Sequence, residues 1–563
     1  MNGSRNIIYL NILKQQMTQN NQLSERDVRI QKIEKIKKML IKPYAQSFDK
    51  KDLVSDIISQ YSEKQHRDIN DIIINPEIQV RTAGRVMLHR SHGKLAFARL
   101  MDSTDQIQLM FHRESCKIDI STSQNDPKLL ETLTGEGIGA DGGNEITAYK
   151  FMEKMVDVGD FIGIRGEVFT THKGELTIFV SEFKFLSKAV RPLPEKFHGL
   201  TDQEELYRKR YLDMTMNPET YKRFMFKSEF YKTLRDFYHA EGFTEITTPI
   251  LCNAASGAAA KPFITHHNDF DTEFYLRIAF ETALKKATVG RMEKIFEIGK
   301  DFRNEGSDPS HLQEFTQVEH YAVYRNYEDN MKFAEKMFDY IFDKMGLSKK
   351  INVKDKDGNI KEVDFTTPWE RVDYTKGIVD ASGIDITKYS IDDADKLRAD
   401  IKAKGIEFEK MDQMGTTTLI DYLYKKVLRP KILGPAFIYN YPVIMQPLAR
   451  VSDEDAGVVE QFQLLVNGRE ICKAYSELVD PIFQQANFDK QKEAAAKGDE
   501  EATAEDKDFV TAMEYGMPPQ SGFGMGLERI LAILTEQDNL RDVVMFPIMK
   551  PESNLDEDKQ DEK

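Results

Sequence analysis

One stretch of the chain, residues 296–316, constrains the fold more than any other. Apolar and polar residues alternate at its start, with Phe296 and Ile298 on one side and Glu297 on the other, which predicts a half-buried strand. A polar segment that contains a glycine and a proline then interrupts the pattern, as turns do. Because a second strand-like run follows over residues 315–324, the stretch predicts a long hairpin.

The loop of this hairpin carries side chains that suit a nucleotide. Arg303 can grip a phosphate or a carboxylate with its planar guanidinium, and His311 can donate a hydrogen bond to a phosphate oxygen. Glu305 lies in the same loop, and the ring of Phe315 on the return strand can stack on a base. From these residues alone, a surface hairpin with a few ion pairs remains an open alternative.

The stretch resembles motif 2 of the class II aminoacyl-tRNA synthetases, in the Phe-Arg-Asn-Glu-Gly form that lysyl-tRNA synthetases carry. Residues 242–251 resemble motif 1, which lies at a two-fold dimer interface in that family. Residues 522–529 resemble motif 3, whose glycines let the backbone approach ATP closely. Matching blocks run from about residue 43 to residue 551, except for 114–145 and parts of 350–435. The resemblance implies an α+β protein in which an OB-fold β-barrel precedes a catalytic domain built on an antiparallel sheet flanked by helices.

The composition is that of an ordinary globular protein. The chain has 563 residues, of which 40% are hydrophobic and 30% charged, and this length allows two or more domains. No apolar run is long enough to cross a bilayer, and the amino-terminal apolar patch is too short for a signal peptide. We therefore expect a cytoplasmic protein with no membrane partner. The three cysteines are far apart in sequence, so they predict free thiols rather than a zinc site.

Charge is distributed unevenly. The formal net charge of −15 argues against non-specific nucleic-acid binding by the whole chain. Residues 1–45 nevertheless carry nine basic and three acidic side chains. A basic arm of this kind can contact RNA, although by itself the pattern is better explained by a solvated helix face.

Strand patterns and composition divide the chain. Strand-like segments between residues 79 and 185 have the spacing of a small Greek-key barrel, with a polar insertion expected to form a loop plus a helix. We predict an N-terminal basic helical extension at 1–70, an OB-fold anticodon-binding domain at 71–190 with its insertion at about 114–145, a linker at 191–215, a class II catalytic domain at 216–551 and a disordered acidic tail at 552–563.

The resemblance also implies a pocket for L-lysine. Glu281 would take the α-ammonium group, while Glu319, Tyr321 and Glu477 would receive the side-chain amine. A buried ammonium needs such partners, and a substrate without the amine would leave both acids unpaired. The implied lysine-binding residues are Gly257, Glu281, Arg303, Glu319, Tyr321, Lys473 and Glu477.

A second implied set binds ATP, which is a substrate. Arg303 would stabilise charge at the α-phosphate, and His311 and Arg529 would hold the pyrophosphate, so that Arg303 and Arg529 are the catalytic residues. The implied ATP-binding residues are Arg303, Glu305, His311, Phe315, Glu470 and Arg529.

Three positions depart from the family pattern. Gln463 stands where the family usually has a glutamate that binds metal, whereas the metal ligand Glu470 is retained. Lys473 replaces the usual asparagine, and Phe280 replaces a proline before Glu281. Because Mg²⁺ prefers anionic oxygen ligands, we expect one divalent site to be weakened and fewer Mg²⁺ ions to be required. Lys473 could donate to a carboxylate or a phosphate, or it could repel the substrate's ammonium.

In the predicted barrel, Phe97, Gln108 and Glu175 match the positions that hold the central uridine of the anticodon in lysyl, aspartyl and asparaginyl enzymes. Proteins read RNA sequence best from unstacked bases, by aromatic stacking and hydrogen bonds to base edges. Without the resemblance, Phe97 would be read as an ordinary strand residue.

The sequence thus predicts a homodimeric enzyme that attaches L-lysine to tRNA(Lys) through a lysyl-adenylate. A sibling enzyme for aspartate or asparagine is one alternative, although Glu319 and Glu477 would repel an acidic side chain. A truncated relative that modifies a protein with lysine would lack the barrel. A tRNA-binding or regulatory paralogue without catalysis is the third alternative, and only Gln463 and Lys473 favour it.

Overall fold

This computed structural model describes residues 24–39, 41–63, 67–119, 138–140, 144–146, 148–194, 202–258, 260–355, 358–446, 449–496 and 506–552. The chain divides into two compact units, residues 1–199 and 200–563. Within the described residues, no helix is both long enough and apolar enough to cross a membrane.

The first unit is a closed barrel with helices packed on it. Its elements are α1 (Glu25–Lys38), α2 (Val54–Tyr61), α3 (Ile69–Ile74), β1 (Val80–His92), β2 (Leu95–Met101), β3 (Gln106–His112), β4 (Lys117–Ile118), β5 (Ile138–Ala140), β6 (Asn144–Ile146), α4 (Ala148–Met155), β7 (Phe161–Thr170) and β8 (Leu176–Ser187). The sheet runs β3-β2-β1-β7-β8-β4, and an added pairing of β3 with β8 closes it. The five long strands confirm the predicted strand positions.

Tight curvature of this barrel depends on glycine at two strand positions. A Cβ atom at Gly84 would lie 2.3 Å from the carbonyl oxygen of Met101, and one at Gly166 would lie 2.0 Å from that of Phe179. Because real Cβ atoms do not approach backbone this closely, any other residue would force the neighbouring strand away.

Helix α1 uses part of the amino-terminal basic charge to pack on the barrel. Arg29 is buried and donates hydrogen bonds to the carbonyl oxygens of Val158 (3.0 Å) and Ala189 (3.2 Å). Lys32 forms an ion pair with Asp157 at 2.6 Å. These two cations therefore serve packing, while the predicted arm before residue 24 lies outside the described residues.

Most of the predicted insertion at 114–145 lies outside the described residues as well, as does residue 553 onward in the predicted tail. The described parts of the insertion include β4 and the short hairpin of β5 and β6. Helix α4 begins at Ala148, just after the insertion, and packs Phe151 and Met152 into the barrel core.

The second unit is built on an eight-stranded sheet. Its elements are α5 (Gln203–Arg208), α6 (Arg210–Met216), α7 (Pro218–Ala240), β9 (Thr244–Glu245), β10 (Leu251–Cys252), β11 (Ile264–His267), β12 (Thr272–Leu276), α8 (Glu281–Val289), β13 (Lys294–Phe302), β14 (Glu314–Val323), α9 (Tyr327–Met345), β15 (Lys350–Lys354), β16 (Ile360–Asp364), β17 (Glu370–Asp373), α10 (Tyr374–Ser382), α11 (Ala394–Ala403), α12 (Thr416–Val427), β18 (Ala436–Pro442), β19 (Val458–Val466), β20 (Arg469–Ser476), α13 (Pro481–Ala496), α14 (Lys507–Glu514), β21 (Gln520–Gly526) and α15 (Leu527–Leu534).

The sheet order β17-β18-β19-β20-β21-β14-β13-β9 is antiparallel except at its two ends, where β17 pairs with β18 and β9 with β13 in parallel. Helices α7, α9 and α15 cover one face and supply the main core, which includes Phe237, Phe338 and Leu531. Strands β13 and β14 pair from Lys294 with Ala322 to Phe302 with Glu314, which confirms the predicted hairpin. The opposite face of the central strands is left to line a cavity.

Candidate active site

A cavity of about 610 Å³ opens on the central strands of the second unit. Two groups of side chains line it. The carboxylate cluster consists of Glu281, Lys285, Glu319, Tyr321 and Glu477, and the arginine cluster consists of Arg303, Glu305, His311, Phe315, Glu470 and Arg529. Gly257 and Lys473 also line the cavity, so the structure brings together every predicted residue of the lysine and ATP sets. Gln463 does not belong to the described residues that line the cavity.

The carboxylate cluster is bonded internally. Lys285 donates from Nζ to Glu281 Oε1 at 2.7 Å and contacts Glu477 Oε2 at 2.5 Å. Tyr321 donates its hydroxyl to Glu319 Oε1 at 3.0 Å, and Gln317 donates its side-chain amide to Glu319 Oε2 at 2.7 Å. Each acid except Glu281 is buried.

Glycine makes room for this crowding. A Cβ atom at Gly522 would lie 2.4 Å from Glu477 Oε1 and 2.6 Å from the ring of Tyr321. Gly257 adopts a φ of +88°, and a Cβ there would lie 3.0 Å from the Cβ of Glu281. The close approach of the two acids to neighbouring backbone therefore requires glycine at both positions.

Burial shifts the protonation of this cluster. Burial raises the pKa of Glu319 well above its ordinary value, and the nearby Asp301 and Glu281 carboxylates add to the shift. Burial also raises the pKa of Glu477, although the ammonium of Lys285 opposes it. For Lys285, burial acts to lower the pKa, but Glu281 and Glu477 outweigh it and raise the pKa. The cluster therefore holds one fixed cation, with Glu319 the acid that most readily keeps a proton.

The arginine cluster is more open. Glu305 and His311 are exposed on the hairpin loop, where His311 Nδ1 lies 2.8 Å from Asp308 Oδ2. Arg303 is half-buried, donates to the carbonyl oxygen of Ile278 at 3.3 Å and lies 5.2 Å from the ring centroid of Phe315. Its guanidinium thus faces the cavity without a carboxylate hydrogen bond among the described residues.

Arg529 enters from the start of helix α15. It donates to the carbonyl oxygen of Glu470 at 3.0 Å, and burial lowers its pKa while the Glu470 carboxylate opposes that shift. Helix α15 is tied to the hairpin because Thr316 donates its backbone N–H and its hydroxyl to the two carboxylate oxygens of Glu528, each at 2.8 Å. The two arginines of this cluster are therefore held by connected elements.

Gln463 and Lys473 are direct partners across strands β19 and β20. Gln463 Oε1 accepts a hydrogen bond from the hydroxyl of Tyr441 at 2.8 Å, and Lys473 Nζ lies 4.9 Å from the ring centroid of Tyr475. Burial acts to lower the pKa of Lys473, but Tyr475 and Glu470 outweigh it and raise the pKa. The sequence did not predict that Gln463 would be engaged by a tyrosine.

Only one of the two predicted metal-ligand positions carries a carboxylate. In the described parts of the chain, no group of three or more histidine, cysteine, aspartate or glutamate side chains is placed to hold a metal ion. Glu470 is the one carboxylate of the predicted metal pair, since Gln463 is neutral and already bonded. A single ion held by Glu470 together with substrate phosphates suits the preference of Mg²⁺ for few protein ligands.

Sequence reasoning missed several residues of the site. Lys285 lies one helical turn after Glu281, a spacing that signals an ion pair. Gln317 lies two residues before Glu319 on the same face of β14, and Asp301 lies opposite Phe315 on β13. Asp301 is buried, and neither of its carboxylate oxygens has a hydrogen-bond partner among the described residues. Phe280, which replaces the usual proline, is the N-cap residue that directly precedes helix α8.

The three predicted barrel residues lie on the paired strands β2 and β3 and just before β8, which pairs with β3. Phe97 on β2 is half-buried, with the guanidinium of Arg90 lying 5.6 Å from its ring centroid. Gln108 on β3 donates to the hydroxyl of Thr177 at 2.9 Å. Glu175 pairs at 2.8 Å with Arg99, which is the ladder partner of Gln108 and was not predicted.

Comparison with known proteins agrees with this geometry. Residues 202–550 match the model of class II tRNA synthetases (D, K and N), and residues 80–186 match that of an OB-fold nucleic-acid-binding domain. A lysine–tRNA ligase of Carboxydothermus hydrogenoformans is 38% identical over 524 residues, which cover 93% of this chain and 97% of that protein. One of Campylobacter jejuni is 38% identical over 530 residues, covering 93% and 96%. The predicted fold is confirmed, and the chain belongs to the class II tRNA synthetases of the D, K and N group.

Proposed function

We propose that this chain attaches L-lysine to tRNA(Lys) at the expense of ATP, with lysyl-adenylate as the intermediate. The observation that carries the proposal is the carboxylate cluster, which places three acids and a phenol in the same cavity as Arg303 and Arg529. The names of the relatives, which are lysine–tRNA ligases at 38% identity, support it independently.

Glu281 would receive the α-ammonium group of the substrate, assisted by the backbone carbonyl of Gly257. Glu319, Tyr321 and Glu477 would receive the side-chain ammonium. An aspartate or asparagine substrate would bring no side-chain cation to Glu319 and Glu477, and the burial of these two acids makes an unpaired charge costly. The cluster therefore favours lysine over the substrates of the sibling enzymes.

The lysine carboxylate would attack the α-phosphorus of ATP, and the bond to pyrophosphate would break. Arg303 would stabilise the charge that develops at the α-phosphate, and His311 and Arg529 would hold the departing pyrophosphate. Glu305 and Phe315 would position the adenosine, and Lys473 would donate to the substrate carboxylate. A terminal ribose hydroxyl of the tRNA would then attack the lysyl carbonyl carbon of the adenylate, so that the ester bond forms and AMP leaves. The step needs positioning and electrostatics rather than a covalent nucleophile.

Glu470 would hold Mg²⁺ together with phosphate oxygens, and Gln463 would contribute weakly or not at all. When bound, the ion supplies positive charge that neutralises the phosphates. The carboxylate of Glu470 lies on the strand that also carries Lys473, so cation and metal ligand would act on neighbouring parts of the substrate.

In the barrel, Phe97, Gln108 and Glu175 would read the anticodon. Changing Phe97 to alanine should weaken tRNA charging by about 1–3 kcal/mol, the loss of one base stack, and leave adenylate formation nearly untouched. Paired measurements of charging and of ATP–pyrophosphate exchange check this. A matching collapse of exchange would instead assign Phe97 to barrel stability.

We also propose a homodimer, which the resemblance of residues 242–251 to motif 1 supports. The decisive test of the function is ATP–pyrophosphate exchange with lysine, aspartate and asparagine in turn. We expect exchange with lysine alone. Exchange with aspartate or asparagine would favour a sibling enzyme, and no exchange with any of the three would favour a tRNA-binding paralogue without catalysis.

A further inference from the structure

The carboxylate cluster contains an ammonium group of its own. Lys285 extends from helix α8 so that Nζ lies between Glu281 Oε1 (2.7 Å) and Glu477 Oε2 (2.5 Å). Only 5% of its side chain is exposed, and Nζ lies 5.8 Å from the ring centroids of both Tyr321 and Phe509. The two acids come from different elements, since Glu281 opens helix α8 and Glu477 follows strand β20.

We propose that Lys285 is a positioning residue that sets substrate specificity: by joining Glu281 to Glu477, it fixes the spacing between the acid that meets the α-ammonium of lysine and the acid that meets the side-chain ammonium. The inference rests on the proposed function. Lys285 would thereby set the distance between the two amines that the pocket accepts. It would do so through the two acids, without contacting the substrate itself.

Charge balance supports this role. The carboxylate cluster contains three carboxylates, Glu281, Glu319 and Glu477, and the substrate brings only two ammonium groups to meet them. Lys285 supplies the third cation, so this cluster, with the two substrate ammonium groups bound, is neutral when all three acids are ionised. Neutrality matters because uncompensated buried charge is strongly disfavoured. Lys285 contacts Oε1 of Glu281 and Oε2 of Glu477, so it engages one of the two oxygens of each of these carboxylates.

The two acids differ in how much they depend on Lys285. Glu477 is 8% exposed, and its carboxylate is also confined by the backbone at Gly522. The side chain of Glu281 is 34% exposed, and its ion pair with Lys285 is the contact that directs it toward Glu477. Without Lys285, Glu281 is free to adopt other rotamers, so the spacing of the two acids is lost.

A plain helix ion pair is the simpler reading, and the next residue of the helix provides the comparison. Lys286 pairs with Asp508 at 2.7 Å, but the side chains are 34% and 81% exposed. Exposed pairs of this kind contribute little. Lys285 differs because it is buried, bonds two acids and lines the cavity.

The test uses the full-length enzyme with Lys285→Met, Lys285→Arg and the matched control Lys286→Met. ATP–pyrophosphate exchange gives KM and kcat for lysine, for ornithine, which is one methylene shorter, and for ATP. We expect Lys285→Met to raise the KM for lysine on the order of 100-fold while the KM for ATP changes little. One methylene changes kcat/KM by about 10–200-fold, so the unmodified enzyme should prefer lysine over ornithine by a factor in that range. In Lys285→Met this preference should fall toward 1.

The arginine variant separates charge from spacing. Lys285→Arg keeps the cation, so we expect it to recover at least about tenfold of the lost affinity for lysine, but its longer planar group should not restore full discrimination against ornithine. An arginine variant as poor as the methionine variant in KM for lysine would contradict a role for the charge. An arginine variant that discriminates between lysine and ornithine as well as the unmodified enzyme would contradict the proposal that Lys285 sets the spacing of the two acids.

Three further outcomes are decisive. If Lys285→Met behaves like Lys286→Met, the proposal is wrong. If Lys285→Met damages lysine and ATP kinetics equally and leaves the lysine-to-ornithine ratio unchanged, Lys285 only supports the fold, and the proposal is again wrong. If the unmodified enzyme shows no exchange with lysine, the proposed function fails and takes this inference with it, which distinguishes the two failures.

Discussion

The two clusters of the cavity are built in opposite ways. In the carboxylate cluster, Glu319 and Glu477 are buried and already hydrogen-bonded or ion-paired with neighbouring side chains. In the arginine cluster, Glu305 and His311 are exposed on a loop, and Arg303 bonds only a backbone carbonyl among the described groups. An amine that enters a buried site needs acids fixed in advance, because reorganising buried charge is costly. Phosphates are multiply charged and can be bound by the half-buried guanidinium groups of Arg303 and Arg529.

The strongest way to break this comparison is to remove one acid. Changing Glu477 to glutamine should weaken lysine binding by about 3–5 kcal/mol, which is measured as a higher KM for lysine. The change removes one of the two carboxylates that contact the buried Lys285, and it removes an acid that would bind the substrate's side-chain ammonium. Glu319→Gln should act in the same direction. Separate titrations of lysine and ATP in the exchange reaction check this. The comparison fails if both substrates are affected equally.

Asp301 tests whether burial alone produces the shifts of the carboxylate cluster. Burial raises its pKa from 3.8 to about 7, although Arg277, 3.5 Å away, and Arg303 oppose the shift. Because the folded state binds this proton more tightly than the unfolded state, the stability that the group contributes is complete below about pH 4. That contribution is lost as the pH rises through about 7.

Asp301→Asn should therefore stabilise the protein at pH 8.5 by up to about 4 kcal/mol and change little near pH 4, since the amide resembles the protonated acid. Unfolding at the two pH values checks this, with Asp308→Asn on the exposed loop as the control. A stability change that is the same at both pH values would show that Asp301 is ionised throughout. Burial would then not explain the raised pKa values of the acids in the carboxylate cluster.

The contrast between the clusters also explains what the sequence could predict. The hairpin, Glu319, Tyr321 and Glu477 followed from local pattern and resemblance, because strand alternation and motif spacing are local properties. Lys285 was missed although its spacing from Glu281 was visible, since such pairs usually lie on the surface. Its burial depends on packing between distant segments, which periodicity does not report.

The same limit applies to strand β19. The sequence identified Gln463 as an unusual residue, and pairing of β19 with β20 places it directly opposite Lys473. It could not identify Tyr441 as the partner of Gln463, because that contact depends on the pairing of β18 with β19. Strand register across a sheet is a tertiary property.

The smallest expected effect concerns Gln463 and Lys473. We predict that Gln463 and Lys473 are a coupled replacement in a working enzyme, in which a fixed cation supplies part of what a second Mg²⁺ supplies in relatives with glutamate and asparagine. Side chains opposite each other on antiparallel strands lie close enough to interact. Activity should consequently need fewer Mg²⁺ ions than in such relatives, which a magnesium titration of exchange measures.

Gln463→Glu alone should be neutral or harmful, because the new acid would pair with Lys473 instead of binding metal, while its carboxylate could still accept the hydrogen bond from Tyr441. The double change to glutamate and asparagine should perform better than the sum of the singles, by about 0.5–3 kcal/mol, the range seen for contacting residues. It should also increase the magnesium requirement. Strict additivity with an unchanged magnesium dependence would mean that the two replacements are independent.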